Sequence, residues 1–334
     1  MIRLVPLDET TWDTELARHH QATLFHTSRW LNLLQRTHGV QTERLGIFAG
    51  GRLCGLFPVQ QRRRGPFILM GSPVSGTATP YLGPLVPDEL LPATLTAFAS
   101  LIQHRRPAIV HLGFPYAVNP ALVTALGYQF YPQTTLVIPI RGRTRDDLWQ
   151  GLKKSCRAHV RQAERRGVEI SEAQQPDVLE DYLRFERAVF ARRGLPPPNP
   201  RQYYYELWES LRPAGQMNVF VARCEGHIVG VQINGIYQGK LYGLHGAVDA
   251  RYRDRCYPGN LLEWHLIAWM ADHGLELYDM IGGSDPGWGQ FKRSFGSVPV
   301  AMTACIDERS RLFTFARAAR QAVQRLRGGG RMQG

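Results

Sequence analysis

One stretch decides the fold, and it runs from Gly239 to Pro299: GKLYGLHGAVDARYRDRCYPGNLLEWHLIAWMADHGLELYDMIGGSDPGWGQFKRSFGSVP. It begins as a strand, Leu241–Val248, which leads through a basic turn into a long amphipathic helix, Asn260–His273. Gly274 ends that helix, and a short strand, Glu276–Ile281, then runs into a pair of glycines. Strand, helix and strand in this order predict a βαβ unit whose second strand ends in a glycine turn. Such turns are common binding sites in α/β sheets.

A lysine stands in the phrase that follows the glycine turn, Gly289-Gln-Phe-Lys-Arg-Ser-Phe-Gly296. Lys292 is one of only four lysines among 40 basic residues. A lysine in so arginine-rich a chain indicates a role that needs a compact ammonium group. A surface lysine is the alternative interpretation, and position by itself does not separate the two.

Whole-chain composition predicts a globular protein with an anionic partner. The 334 residues suffice for two domains of ordinary size, and 44% of them are hydrophobic. A formal net charge of +12 and an isoelectric point near 9.8 fit RNA, a nucleotide or a membrane face. A general bias toward arginine would produce much of the same excess.

The cysteines and the apolar runs predict a cytoplasmic location. The five cysteines are far apart, and no pair has metal-ligand or redox spacing, so we expect free thiols and no metal site. Acidic residues occupy the first residues where a signal peptide needs its apolar core. The longest mostly apolar run, Leu90 to Ile102, is too short to span a bilayer.

The first half of the sequence alternates between strand and helix signals. A helix follows Ser28 as its N-cap, and Gly50-Gly51 forms the turn of a hairpin. The later elements are a strand at Phe67–Met70, a helix at Glu89–His104, a strand at Ala108–Phe114, a helix at Pro120–Leu126 and a strand at Thr134–Ile140.

The second half begins with one predicted helix that carries Leu148, Leu152, Cys156 and Val160 at a spacing of four and ends at Gly167. Helices at Val178–Arg193 and Arg201–Leu211 follow, and then a meander of strands with turns at Glu225-Gly226 and Gln238-Gly239. The tail reads as a basic helix with Leu312, Phe315, Ala319, Val323 and Leu326 on one side.

Both halves repeat one order of elements, a glycine-bounded hairpin followed by strand, helix and strand. This weak self-similarity predicts two copies of one mixed α/β (α+β) unit, with helices on the sheets. We place a first domain at residues 1–144, a second with the main motifs at 145–308, and a basic helix and tail at 309–334.

Several motifs of the second half resemble the Fem family of aminoacyltransferases, which is built from two GNAT-type (acyl-CoA N-acyltransferase-like) domains. The matching stretches are Leu152–Gly167, Tyr242–Ala247, Tyr278–Gly283 and Phe291–Gly296, to which the first half adds Ser28-Arg-Trp30 and Gly55–Pro58. The resemblance implies a fold of two tandem GNAT-like domains. It also implies transfer of an aminoacyl group from tRNA to an amine of a cell-wall precursor of the peptidoglycan type.

The resemblance also implies roles for individual residues. The lysine that the family needs for activity corresponds to Lys292, and an arginine and a tyrosine that help hold the acceptor correspond to Arg201 and Tyr205. An aromatic residue of the meander corresponds to Tyr242. The lysine that contacts UDP-MurNAc-pentapeptide is replaced by Leu34-Gln35, so we expect weak or no use of that acceptor.

The residues themselves suggest how acyl transfer would proceed. An ammonium on Lys292, held by Phe291 and its neighbours, suits a developing oxyanion or a donor phosphate. Asp279 and His245 are the candidate bases, although each fits a structural role as well and the amine could lose its proton to water. No nucleophile elbow supports a covalent acyl-enzyme.

We therefore predict an acyltransferase without a bound cofactor that uses aminoacyl-tRNA as donor and contacts an anionic membrane peripherally. One alternative is an acyl-CoA-dependent N-acyltransferase acting on a sugar or lipid headgroup in polysaccharide synthesis. Its phosphate loop, Arg253–Asn260, has a single glycine, and Pro258 lacks an amide donor, which weakens CoA binding. The other alternative is a non-catalytic relative that binds RNA or membrane through its basic surface.

Overall fold

The computed structural model of the chain describes residues 1–283 and 286–319. Within these, residues 1–133 and 301–319 form one compact unit, and residues 134–300 form the other. The boundary therefore differs from the predicted 144/145, because residues 137–139 pair with a strand at 277–279. Residues 303–308, which we assigned to the second domain, pair instead with a strand at 109–114 in the first unit.

The elements up to residue 139 follow the predicted alternation closely. In chain order they are β1 (Ile2–Pro6), α1 (Glu9–Leu16), α2 (Ser28–His38), β2 (Gln41–Ala49), β3 (Arg52–Arg64), β4 (Phe67–Ser72), α3 (Leu91–Arg105), β5 (Ile109–Phe114), α4 (Pro120–Ala125) and β6 (Gln129–Pro139). Short 3-10 turns at Leu24–His26 and Asp88–Leu90 precede α2 and α3.

The elements after residue 139 carry the predicted helices and meander. They are α5 (Arg145–Gly151), α6 (Lys154–Arg165), β7 (Glu169–Glu172), α7 (Val178–Arg192), α8 (Arg201–Leu211), β8 (Met217–Cys224), β9 (His227–Tyr237), β10 (Lys240–Val248), α9 (Arg253–Cys256), α10 (Pro258–Asp272), β11 (Leu277–Asp279), α11 (Pro286–Arg293) and β12 (Val298–Glu308).

In the first unit the strand order is β1-β2-β3-β4-β5 followed by the end of β12, and only β4 and β5 run parallel. Gly50 and Gly51 both have positive φ, 58° and 86°, which confirms the predicted hairpin turn. The N-cap of α2 is Thr27 rather than the predicted Ser28. Its hydroxyl accepts a 3.3 Å hydrogen bond from the amide of Trp30.

In the second unit the strand order is β6-β11-β10-β9-β8-β7, and only β10 and β11 run parallel. The two predicted meander turns are present. Glu225-Gly226 and Gln238-Gly239 all adopt positive φ, as two-residue hairpin turns require. Helix α10 joins β10 to β11, so the βαβ unit predicted from the sequence is confirmed.

A predicted single helix before Gly167 is instead two helices, α5 and α6. Leu152 and Lys153 have ψ near 145° and interrupt the helical backbone, and the side chain of Arg157 donates hydrogen bonds to three carbonyls at the end of α5. The apolar spacing nevertheless predicted the core residues correctly. Leu148, Leu152, Cys156 and Val160 are all buried in one cluster with residues of α10. The interruption therefore leaves the apolar face buried.

The tail is helical over residues 311–319, but its buried side differs from the predicted one. Phe313 is 5% exposed and packs on Phe67, whereas Leu312 and Phe315 are about three-quarters exposed. The predicted positions Val323 and Leu326 lie outside the described residues. None of the helices in the described ranges has the length and apolar character needed to cross a bilayer.

Candidate functional site

A cavity of about 990 Å³ opens in the second unit where β10 and β11 separate. The two parallel strands pair only from Lys240–Tyr242 to Leu277–Asp279. Beyond this point β10 continues paired only with β9, with a bulge between Gly243 and His245, and its residues 243–248 line the cavity. A gap between neighbouring parallel strands at their carboxyl ends exposes main chain and side chains to a ligand, as in other α/β sheets.

A polar network centred on a carboxylate lies in the wall of this cavity. Tyr278 donates a 2.9 Å hydrogen bond to Oε2 of Glu263, and Gln232 Nε2 donates to Oε1 of the same carboxylate at 3.2 Å. Gln232 also lies 3.1 Å from the Tyr278 hydroxyl. Gly243 makes room for this arrangement, because a Cβ there would stand 2.9 Å from that hydroxyl.

Burial raises the pKa of Glu263, while the two hydrogen bonds and the positive charge of Lys292 act in the opposite direction. A carboxyl group with a raised pKa accepts a proton more readily than an exposed one near neutral pH. Glu263 therefore combines a raised pKa with a place in the cavity wall, as a general base requires, whereas Asp279, one of the two bases predicted from sequence, does not line the cavity. The signal in the sequence was a single carboxylate in an otherwise apolar helix, NLLEWHLIAWMA.

Lys292, predicted to be catalytic, lines the cavity from α11. Its ammonium donates a hydrogen bond to the carbonyl of Ile281 and another of 3.1 Å to the carbonyl of Gly282. Both of those residues have positive φ, 50° and 72°, so the turn after β11 presents two carbonyl oxygens toward the lysine. Phe291 also lines the cavity, and its ring meets that of Phe295 edge-on at 5.1 Å.

Asp279 and Tyr242 do not line the cavity. Asp279 is 7% exposed and accepts hydrogen bonds from Thr135 Oγ1 and from the amide of Ile281, the latter at 2.8 Å. It fixes the turn whose carbonyls hold Lys292, which is a positioning role. Tyr242 is 2% exposed within β10, immediately before the first cavity residue of that strand.

His245 lines the cavity on β10 and is surrounded by tyrosine rings. Its Nε2 lies 3.1 Å from the hydroxyl of Tyr203. Burial lowers the pKa of His245 to about 3, so the imidazole is neutral in the physiological range and is a weak base. The structure thus brings three of the predicted site residues, His245, Phe291 and Lys292, to one cavity.

Arg201 and Tyr205 lie outside the cavity, in a cluster with Glu180 on the exposed side of α7 and α8. Arg201 Nε donates a 2.8 Å hydrogen bond to Glu180 Oε1, and Tyr205 donates to the same oxygen. The guanidinium of Arg201 also lies 4.4 Å from the centre of the Tyr205 ring. These contacts hold the pKa of Glu180 below its usual value and engage Arg201 with a protein carboxylate.

The start of α10 forms another part of the cavity wall. Tyr257 has a positive φ of 50°, and its ring stacks on that of His159 at 4.2 Å with an interplanar angle of 5°. Arg253 lines the cavity beside it. Pro258 occupies the first position of the helix and contributes no amide donor, so this helix start offers fewer N–H groups to a phosphate than an ordinary one.

A comparison with known protein families finds a match for part of the chain. Residues 151–293 match the family described as acetyltransferase (GNAT) domain. This part of the chain is therefore similar to GNAT acyltransferase domains. No curated protein matches the sequence. The predicted class of enzyme, an acyltransferase, is confirmed, and the GNAT domain contains nearly all residues that line the cavity.

Several solved structures are similar to nearly the whole chain. A crystal structure of FemX has a TM-score of 0.71 at 14% identity, covering 90% of this chain and 96% of that one. A tandem GNAT protein from the clavulanic acid biosynthesis pathway scores 0.59 at 14% identity, covering 93% and 99%. The structure of L-PGS from Bacillus licheniformis scores 0.58 at 15% identity, covering 97% and 98%. The predicted fold of tandem GNAT-like domains is confirmed.

Proposed function

We propose that the GNAT domain transfers an aminoacyl group from aminoacyl-tRNA to an amine of a cell-envelope precursor. The observation that carries the proposal is one cavity with an ammonium, Lys292, and a partly buried carboxylate of raised pKa, Glu263, on its wall. The Fem-like motifs in the sequence and the similarity in fold to FemX support the aminoacyl donor. Because Leu34-Gln35 replaces the family's lysine, a lipid-linked or non-peptidoglycan amine is preferred to UDP-MurNAc-pentapeptide.

The chemistry needs a free amine, an ester carbonyl and a partner for the developing oxyanion. The free amine nitrogen forms a bond to the ester carbon, and Glu263 takes the extra proton that this nitrogen then carries. Lys292 stabilises the negative charge on the carbonyl oxygen. The ester C–O bond breaks, the ribose oxygen leaves with a proton returned by Glu263, and an amide remains.

The donor has a suitable surface at the start of α10. The stacked rings of His159 and Tyr257 suit the flat base at the end of a tRNA, and Arg253 suits a phosphate. Two arginines on the basic face of α6 already contact other parts of the protein. Arg157 donates to carbonyls of its own unit, and the guanidinium of Arg161 lies 5.4 Å from the centre of the Trp149 ring.

An acyl-CoA donor is the second candidate, because the matching family is described as an acetyltransferase domain and a tandem GNAT protein has a similar fold. The same stacked rings and Arg253 suit an adenine and a phosphate of CoA. The proline at the first position of α10 argues against it, since a pyrophosphate binds best where successive backbone amides are available.

Transfer assays with each donor separate the two candidates. We expect radioactive amino acid to move from charged tRNA to an amine acceptor, and no acetyl group to move from acetyl-CoA to the same acceptor. Binding of tRNA should weaken steeply as salt rises, because phosphate contacts release counterions. Transfer from acetyl-CoA, together with no binding of tRNA at low salt, would reject the aminoacyl proposal in favour of the second candidate.

A further inference from the structure

A second buried carboxylate lies in the wall of the cavity, and the proposed chemistry does not use it. Glu186 on α7 is 4% exposed and lines the cavity. Its Oε1 accepts hydrogen bonds from the hydroxyls of Tyr182 at 2.9 Å and Tyr204 at 2.6 Å. Its Oε2 is also buried, yet it accepts no hydrogen bond from any residue in the described ranges.

A buried carboxylate oxygen without a donor is costly, because the water that it loses is not replaced. Among the described residues no lysine, arginine or histidine forms an ion pair with Glu186, and burial raises the pKa of the carboxyl. The arrangement fits two states. In one the carboxyl is protonated, and in the other a cation with an N–H donor occupies the cavity beside Oε2.

The surroundings of Glu186 favour a cation. Tyr182, Tyr204 and His245 form a cluster of rings, with centroids of Tyr182 and Tyr204 4.9 Å apart and those of Tyr204 and His245 5.1 Å apart. Aromatic rings around a carboxylate form a common recognition site for ammonium groups. The low pKa of His245 keeps the imidazole neutral, so that it does not repel a positive charge.

We propose that the Glu186 end of the cavity binds the acceptor as a protonated primary amine. The ammonium donates a hydrogen bond to Oε2 of Glu186 and lies among the rings of Tyr182, Tyr204 and His245. Before transfer it gives one proton to this carboxylate and becomes the free amine that the chemistry needs. Aliphatic amines have a pKa near 10, so the acceptor arrives as a cation at neutral pH. The naming of this cation as the acceptor rests on the proposed function, whereas the binding of an amine at Glu186 does not.

The test measures binding of butylamine, with 1-butanol as its neutral counterpart, by ligand-observed NMR on the full chain. We expect butylamine to bind and butanol not to bind. Glu186→Gln keeps the size of the side chain and removes its charge, so it should weaken butylamine at least about tenfold. Glu209→Gln, which changes an exposed carboxylate on the neighbouring helix α8, is the matched control and should bind normally.

A measurement on the unaltered protein keeps the test decisive if Glu186→Gln fails to fold. Intermolecular NOEs from butylamine should reach ring protons of Tyr182 and His245. NOEs to other residues only, no binding of butylamine, or equal binding in the Gln variant would each overturn the proposal.

Activity and binding together separate this inference from the proposed function. If butylamine binds at Glu186 and neither donor supports transfer, the proposed function fails and the amine site stands. If transfer from tRNA proceeds with an unchanged KM for the acceptor in Glu186→Gln, the acceptor does not bind at Glu186, so the proposal is overturned and the proposed function stands.

Discussion

Oε2 of Glu263 accepts a 2.9 Å hydrogen bond from Tyr278, so the middle of α10 and the strand β11 share one polar group inside a mostly apolar core. Gln232 from β9 adds a donor to the other oxygen of the same carboxylate. Three elements therefore fix Glu263, and its carboxylate keeps one orientation toward the cavity. A base held in this way needs no reorganisation before it accepts a proton.

Glu263→Gln should lower kcat by about 10²–10⁴, since general base catalysis contributes that much. The pKa of Glu263 is raised, so wild-type activity should fall as pH drops through that raised value and the carboxylate becomes protonated. The Gln variant should lose this acidic limb. Measured pH profiles of kcat for the two proteins check the assignment, and an unchanged limb in the variant would exclude Glu263 as the base.

Stability separates this role from a structural one. A carboxyl whose pKa is raised by burial favours folding when protonated, and that contribution is lost as pH rises through the raised pKa. Replacing the charged group by an amide should therefore leave the Tm at pH 8 unchanged or higher. Glu164→Gln, an exposed carboxylate on α6, is the control for both measurements.

Lys292→Ala should reduce transfer by about 10²–10³, the usual cost of removing one group that stabilises an oxyanion. The loss should appear in kcat, because the interaction forms as charge develops on the carbonyl oxygen. Arg293→Ala is the matched control, since that residue is exposed on the same helix and does not line the cavity. Steady-state kinetics check this, and near-wild-type turnover in Lys292→Ala would remove the lysine from the mechanism.

Asp279→Ala should destabilise the protein by about 1–3 kcal/mol, because it leaves the buried donors of Thr135 and Ile281 without their acceptor. We expect a lower kcat from the displaced Lys292, but an acidic limb at the same pH as in the wild type. Urea unfolding and a pH profile check the two parts. Loss of the acidic limb would instead restore Asp279 as the base that the sequence suggested.

Arg201→Ala tests the acceptor role that the family resemblance implied. Arg201 contacts Glu180 and Tyr205 outside the cavity. The KM for a small amine acceptor should therefore stay within about twofold of the wild-type value. Loss of an acceptor contact worth about 1.4 kcal/mol would instead raise it about tenfold. The measurement is the KM of each substrate in the variant. A selective rise in the acceptor KM would assign the exposed cluster to a part of the acceptor that extends beyond the cavity.

The sequence by itself determined the elements and the class of fold. Positive-φ turns such as Gln238-Gly239 depend on local backbone chemistry. The apolar spacing of Leu148 and Val160 depends on which face of a helix is buried. Both are properties of short segments, and a pattern in one dimension records them. The glycine turn before Lys292 is also a local feature of the sequence. It marked the end of β11 as a binding site, and Lys292 does line the cavity there.

Only the tertiary structure decided which side chains share the cavity. Glu263 and Glu186 each look like one polar residue on a helix, and their importance comes from burial beside tyrosines 15 and 18 residues away in the chain. The separation of β10 from β11 after three paired residues has no local signature either. Hydrogen bonding between distant strands sets where that gap opens, and burial within it sets the proton affinity of each carboxylate.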